Sequence, residues 1–84
     1  MNEKLGRKVT LREDSKFAND GTPSNRTGFI GVVRGVERLG DQVWYKVRWS
    51  NYKGNVYEEG DLLWYDYVDD WKDVVRSWGG TVDG

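Results

Sequence analysis

The chain contains no cysteine and no histidine. The first absence excludes a disulfide scaffold and thiolate zinc sites. The second removes the usual general base and the commonest metal ligand. No run of about 18 apolar residues occurs, so no transmembrane helix is expected. Met1-Asn2-Glu3-Lys4-Leu5 has no apolar core of the kind a secretory signal carries, which makes the cytoplasm the default location. Neighbouring carboxylates occur at Glu58-Glu59 and Asp69-Asp70. Adjacent side chains on a strand or helix point apart, so neither pair forms an acid/base dyad. The expectation is a protein that is not an enzyme, with no cofactor and no metal.

What remains is small and aromatic. At 84 residues the chain is one domain, and its five Trp, five Tyr and two Phe supply the bulk that a small core needs. Net charge is −1 but unevenly spread. Residues 1–53 carry eleven Lys/Arg against six Asp/Glu, and residues 54–84 carry two against eight. Such asymmetry means either a basic ligand-binding face beside an acidic tail or solvated surfaces whose fields largely cancel.

The strongest local signal is Val43 to Tyr52. Val43, Tyr45, Val47 and Trp49 alternate with Trp44, Lys46 and Arg48, the period of a half-buried strand. The first set faces inward. The second is either an ordinary arrangement of snorkelling cations or a stacking and phosphate-binding face. Residues 6–12 also alternate and give a first strand. Residues 13–26, with Asn19-Asp20-Gly21 and the only proline, Pro23, form a long loop. Phe17 stands in it, either plugging one end of the fold or contacting a ligand. Residues 27–38 hold three glycines, expected at bulges or sharp bends of a second strand. A hairpin turn follows over 39–42. After the turn at 50–54 come a short strand over 55–58, a turn with 3₁₀ character over 58–61, and a strand over 62–65. Trp71, Val75 and Trp78 then recur at helical spacing, with Val68 one turn earlier, Asp66 as N-cap and Gly79-Gly80 as the stop. The predicted layout is a flexible N-terminus over 1–5, a barrel over 6–65, an amphipathic helix over 66–80 and a frayed tail over 81–84.

Gly31-Val32-Val33, Tyr45 through Asn51, Asn55-Val56-Tyr57 and Asp61-Leu62 together resemble small SH3-like domains of the mind-bomb, Tudor and KOW kinds. In the mind-bomb type a V-x-W-x-N-G turn precedes an N-x-Y element and a closing Asp-Leu. Here Tyr52 and Lys53 intervene before Gly54. The resemblance covers roughly residues 6–65, extends to small stand-alone bacteriophage domains, and implies a mainly β fold. That fold is an SH3-like five-stranded barrel, here followed by a short C-terminal helix. It also implies a binding role, because such domains hold peptides, methylated side chains or nucleic acid.

Three binding readings follow. Either Trp49 and Tyr57 are core and Tyr52 merely caps them, or an aromatic cage for a methylated or cationic side chain forms from Trp49, Tyr52 and Tyr57, with Glu58 or Asp61 and Phe17 nearby. Nucleic acid could lie on Arg34, Arg38, Lys46, Arg48 and Lys53 around Trp44, with affinity falling steeply in salt. A protein partner is favoured, because Trp, Tyr and Arg dominate interface hot spots. Its candidate contacts are Phe17, Trp44, Arg48, Tyr52, Lys53 and Tyr57. The helix face of Trp71, Val75 and Trp78 either covers the chain's own barrel or docks elsewhere. A monomer or weak dimer without membrane association is expected.

Overall fold

The computed structural model describes residues 4–18 and 20–82. Asn19, Asp83 and Gly84 of the predicted loop and tail, and residues 1–3 of the predicted flexible terminus, lie outside them. The fold is mainly β: five antiparallel strands form one sheet in the order β4-β3-β2-β1-β5, and one short helix follows. The strands are β1 (Arg7–Leu11), β2 (Gly31–Leu39), β3 (Gln42–Trp49), β4 (Gly54–Tyr57) and β5 (Leu62–Tyr67). A 3₁₀ turn, Glu59–Asp61, joins β4 to β5, and the helix α1 spans Trp71–Ser77. β4 and β5 are the two edges and do not pair with each other, so the sheet is open where a closed barrel was expected.

Alternation decides the core. Val9 and Leu11 of β1, Val33 of β2, Tyr45, Val47 and Trp49 of β3, Tyr57 of β4 and Leu62 of β5 form one buried cluster. Two bulges keep the pattern in phase. Val33 opposes Val47 and Gly35 opposes Lys46, so Arg34 is an extra residue on β2. The insertion lets Val33 and Val36 both turn to the core, where Val36 packs at the rim. The expectation of a glycine at a bulge is met at Gly35. On β5, Val9 opposes Trp64 and Arg7 opposes Tyr67, so Tyr65 and Asp66 together face Lys8. Gly31 is a packing notch: a Cβ there would lie 2.5 Å from the Trp49 ring. Gly40, at φ 62, takes the first central position of the two-residue turn between β2 and β3, the place where a tight hairpin needs glycine.

Three boundaries differ from expectation. β2 starts at Gly31 rather than Thr27, because the chain is still in a turn at Gly28, φ 89. β5 continues through Asp66 and Tyr67 because β1 offers Arg7 as a partner. Asp66 is therefore a bulge residue and not an N-cap, and Val68 precedes the helix. α1 is one seven-residue segment with Asp70 at its N-cap position. Gly79 ends it in the left-handed conformation, φ 79, and Gly80 N–H donates to Val75 O at 3.0 Å. Leu5 packs at the rim of the core and Lys4 pairs with Glu59 at 3.1 Å, so the chain is already tied down by residue 4.

Val32 and Val75 are buried outside the main cluster. Val32 lies in register with Lys8 and Arg48, on the face opposite Val33. α1 packs against β2. Trp71 sits over Gly6, where a Cβ would lie 2.5 Å from its ring, and Val68 N–H donates to Gly6 O at 2.9 Å. The helix thus covers part of the second face of its own sheet.

Candidate binding surface

The β3–β4 turn is built from the Trp49 backbone outward. Trp49 N–H donates to Lys53 O at 2.7 Å, and Tyr52 N–H donates back to Trp49 O at 3.1 Å. Asn51 Oδ1 accepts from Lys53 N–H at 3.2 Å. These bonds force residue 52 into the left-handed region at φ 66. Among the described residues it is the one non-glycine there. For an L-residue with a Cβ this conformation costs about 1–2 kcal/mol. Tyr52 is 66% exposed, above every other large hydrophobic residue described. The Arg48 guanidinium reaches the strained residue from β3, its Nη1 donating to Tyr52 O at 3.2 Å.

Beneath the turn, two of the proposed cage rings are interior. Trp49 is 1% exposed and Tyr57 is 0% exposed. Their rings meet edge to face at 5.6 Å, and Trp49 Nε1–H donates to the Tyr57 hydroxyl at 3.0 Å. That hydroxyl has Asn25 Oδ1 at 2.6 Å and Ser24 O at 2.8 Å as acceptors and can donate to one at a time. Burial pushes its pKa up to about 12, opposed by the Trp49 hydrogen bond and assisted by the charges of Asp20 and Asp61. Asn25 Nδ2 donates to Asp20 Oδ2 at 3.1 Å, and the Thr22 amide with Asn25 holds the Asp20 carboxyl below its ordinary value. Tyr57 is therefore a core residue, and its placement among partner-contacting residues is corrected. Neither it nor Trp49 turns a ring face to solvent, so a cage does not assemble from them.

The long loop is fastened at both ends. Ser15 Oγ donates to the buried Asp61 carboxylate at 2.9 Å, and Asn55 Nδ2 donates to Ser24 Oγ at 3.0 Å. Phe17 meets Tyr57 edge to face at 6.0 Å and packs against the core, which is the plug reading rather than the ligand reading. Trp44 opposes Glu37 at the far end of β3, two ladder pairs beyond Lys46 from Arg48, and is half-buried. The expected face of Trp44, Lys46 and Arg48 is a row along β3, but Arg48 is engaged with the turn. Lys53 is exposed beside Tyr52. On α1, Val75 is 0% exposed, while Trp71 and Trp78 are half-buried.

A second aromatic group was not singled out from the sequence. Arg7 lies over both Trp64 and Tyr67, at 5.4 and 5.9 Å, Lys8 lies over Tyr65 at 5.3 Å, and Arg7 Nε donates to Tyr65 O at 2.7 Å. A cleft of about 470 Å³ opens between these residues and Val68. Tyr65 and Tyr67 are exposed. The signal that could have found them is the run Trp64-Tyr65-Asp66-Tyr67, where assigning Asp66 to the helix cut the strand short.

Among the described residues no cluster of carboxylates could hold a metal ion, and no helix is long and apolar enough to cross a membrane. No family model, curated protein or solved structure matches the chain.

Proposed function

We propose that this chain is a non-enzymatic protein-binding module whose docking point is the β3–β4 turn, with Tyr52 as anchor and Lys53 beside it. One observation carries the reading: a tyrosine, and not glycine or asparagine, occupies an unfavourable left-handed position and is left exposed there. Strain of this kind persists where the surroundings over-determine it, and it clusters at functional sites. Tyrosine offers a large, rigid contact at low entropic cost, the property of an interface hot spot. The SH3-like resemblance of the sequence supports the same reading, and a host protein as partner of a phage-type domain is part of it.

The nucleic-acid reading has less support. Arg48 is committed to the turn carbonyl, Trp44 is half-buried, and net charge is −1. The test is affinity capture with three baits: the unmodified chain, Tyr52→Ala and Tyr65→Ala. Tyr52→Ala keeps the turn bonds, so folding is unchanged while the captured protein is lost. Tyr65→Ala retains it. Capture that survives Tyr52→Ala, or bound material that nuclease removes, overturns the proposal.

A further inference from the structure

Arg48 touches both the Tyr52 turn and the chain just past the end of α1. Its Nη1 donates to Tyr52 O at 3.2 Å. Its Nε is buried and has no hydrogen-bond partner. The side chain passes Gly54 of β4, where a Cβ would stand 3.5 Å from Cζ and Nε. It then lies under Gly80, where a Cβ would stand 2.8 Å from Nε and 2.9 Å from Val75 Cγ1. The 3.5 Å approach at Gly54 is ordinary packing, whereas the 2.8 Å approach at Gly80 is not, so the guanidinium needs a side-chain-free position just past the helix. Burying an unpartnered N–H is unfavourable by about 1–3 kcal/mol. It is tolerated here because the same side chain fixes the turn.

We infer that Arg48 is a latch that couples the conformation of the Tyr52 turn to the seating of the C-terminal end of α1. When the segment from Val75 to Gly80 is seated, it closes over Nε and restricts the guanidinium to the rotamer that reaches Tyr52 O. When that segment lifts, Nε gains access to water, the side chain gains other rotamers, and the turn loses the bond that helps to hold Tyr52 left-handed. Coupling of this kind is reciprocal, so whatever fixes the turn also seats the helix end. The latch needs no partner to operate and is tested on the free protein, so its failure is distinct from failure of the binding proposal.

The experiment is amide hydrogen exchange on the full chain. Gly80→Ala pushes a Cβ into the latch. It is expected to speed exchange about fivefold at the turn amides of Trp49 and Tyr52, the equivalent of one lost hydrogen bond. Asp73→Ala, which removes the exposed pair with Arg76 on the same helix and does not touch Arg48, leaves the turn at the original rate. Arg48→Lys keeps the charge but has neither Nε nor the fork. It loosens the turn to the same extent, and adding Gly80→Ala to it changes the turn no further. Turn amides unmoved by Gly80→Ala, equally moved by Asp73→Ala, or additive in the double variant overturn the latch. If Gly80→Ala does not fold, Arg48→Lys decides: faster exchange at both the turn and the Gly79 and Gly80 amides supports coupling, and at the turn alone overturns it.

Discussion

At the scale of single residues, Tyr52 and Tyr57 show how the same side chain serves opposite ends. Both lie on the short excursion after β3. Tyr57 is paired with Tyr45 across the ladder, which fixes it inward, and its hydroxyl is consumed by Trp49, Asn25 and Ser24. Tyr52 falls where the turn reverses and no strand faces it. Tyr57→Phe strands the buried Trp49 N–H, while Asn25 Oδ1 keeps Asn55 Nδ2 as donor at 3.2 Å, and lowers stability by about 2 kcal/mol, measured by denaturant unfolding. The pH dependence has a definite sign. The hydroxyl ionises near 10 in the unfolded chain and at about 12 in the folded one. Its contribution is therefore complete below pH 10 and is lost as pH rises from 10 to 12. Tyr57→Phe removes that part of the alkaline slope. The parity of the β3 strand was legible in the sequence, including Tyr45, Val47 and Trp49 as core. The sequence leaves Tyr57 open between core and cage. What hid its burial was the loop from Asp20 to Asn25, which supplies its hydrogen-bond partners from more than thirty residues away and leaves no local signature.

At the scale of elements, the boundaries that moved were those set by tertiary pairing. Apolar periodicity located all five strands and the helical stripe. It could not show that β1 continues to pair as far as Tyr67, because a bulge there breaks the alternation on which the reading depends. The helix consequently shortened to seven residues, too few to be stable alone in water. Its stability comes from packing: Val75 buried, Trp71 on Gly6, and Gly80 over Arg48. Deleting the chain after Tyr67 therefore uncovers Val32 on β2. The loss is about 2 kcal/mol from that residue alone, seen as a lowered unfolding midpoint. An unchanged midpoint would mean that α1 contributes nothing to the fold. The edges of the sheet carry their own protection against strand addition. β5 has a bulge and Asp66, and β4 is four residues long, with Asn55 Oδ1 accepting its neighbour's Val56 N–H at 2.9 Å.

At the scale of the whole molecule, the uneven charge of the sequence is mixed by topology. β5, from the acidic part, lies beside β1 from the basic part, and β4 lies beside β3. Lys4 and Glu59 bridge the two parts directly. β3, β2 and β1 of the basic part still lie together between these two edges, and the protein reading is proposed ahead of the nucleic-acid one because Arg48 is engaged with the turn carbonyl. The exposed aromatic side chains among the described residues lie on different elements: Tyr52 at the β3–β4 turn, and Tyr65 with Tyr67 on the edge strand. Of these, only Tyr52 is held in an unfavourable backbone conformation, and that asymmetry is the centre of the account. The most direct test is Tyr52→Gly, measured for both folding stability and binding to the captured partner. Glycine accepts the left-handed conformation freely, so the variant is expected to be more stable by about 1 kcal/mol and to bind at least tenfold more weakly. A variant that gains no stability, or that binds as tightly as the unmodified chain, would contradict the claim that this turn holds a strained tyrosine for the sake of its contact.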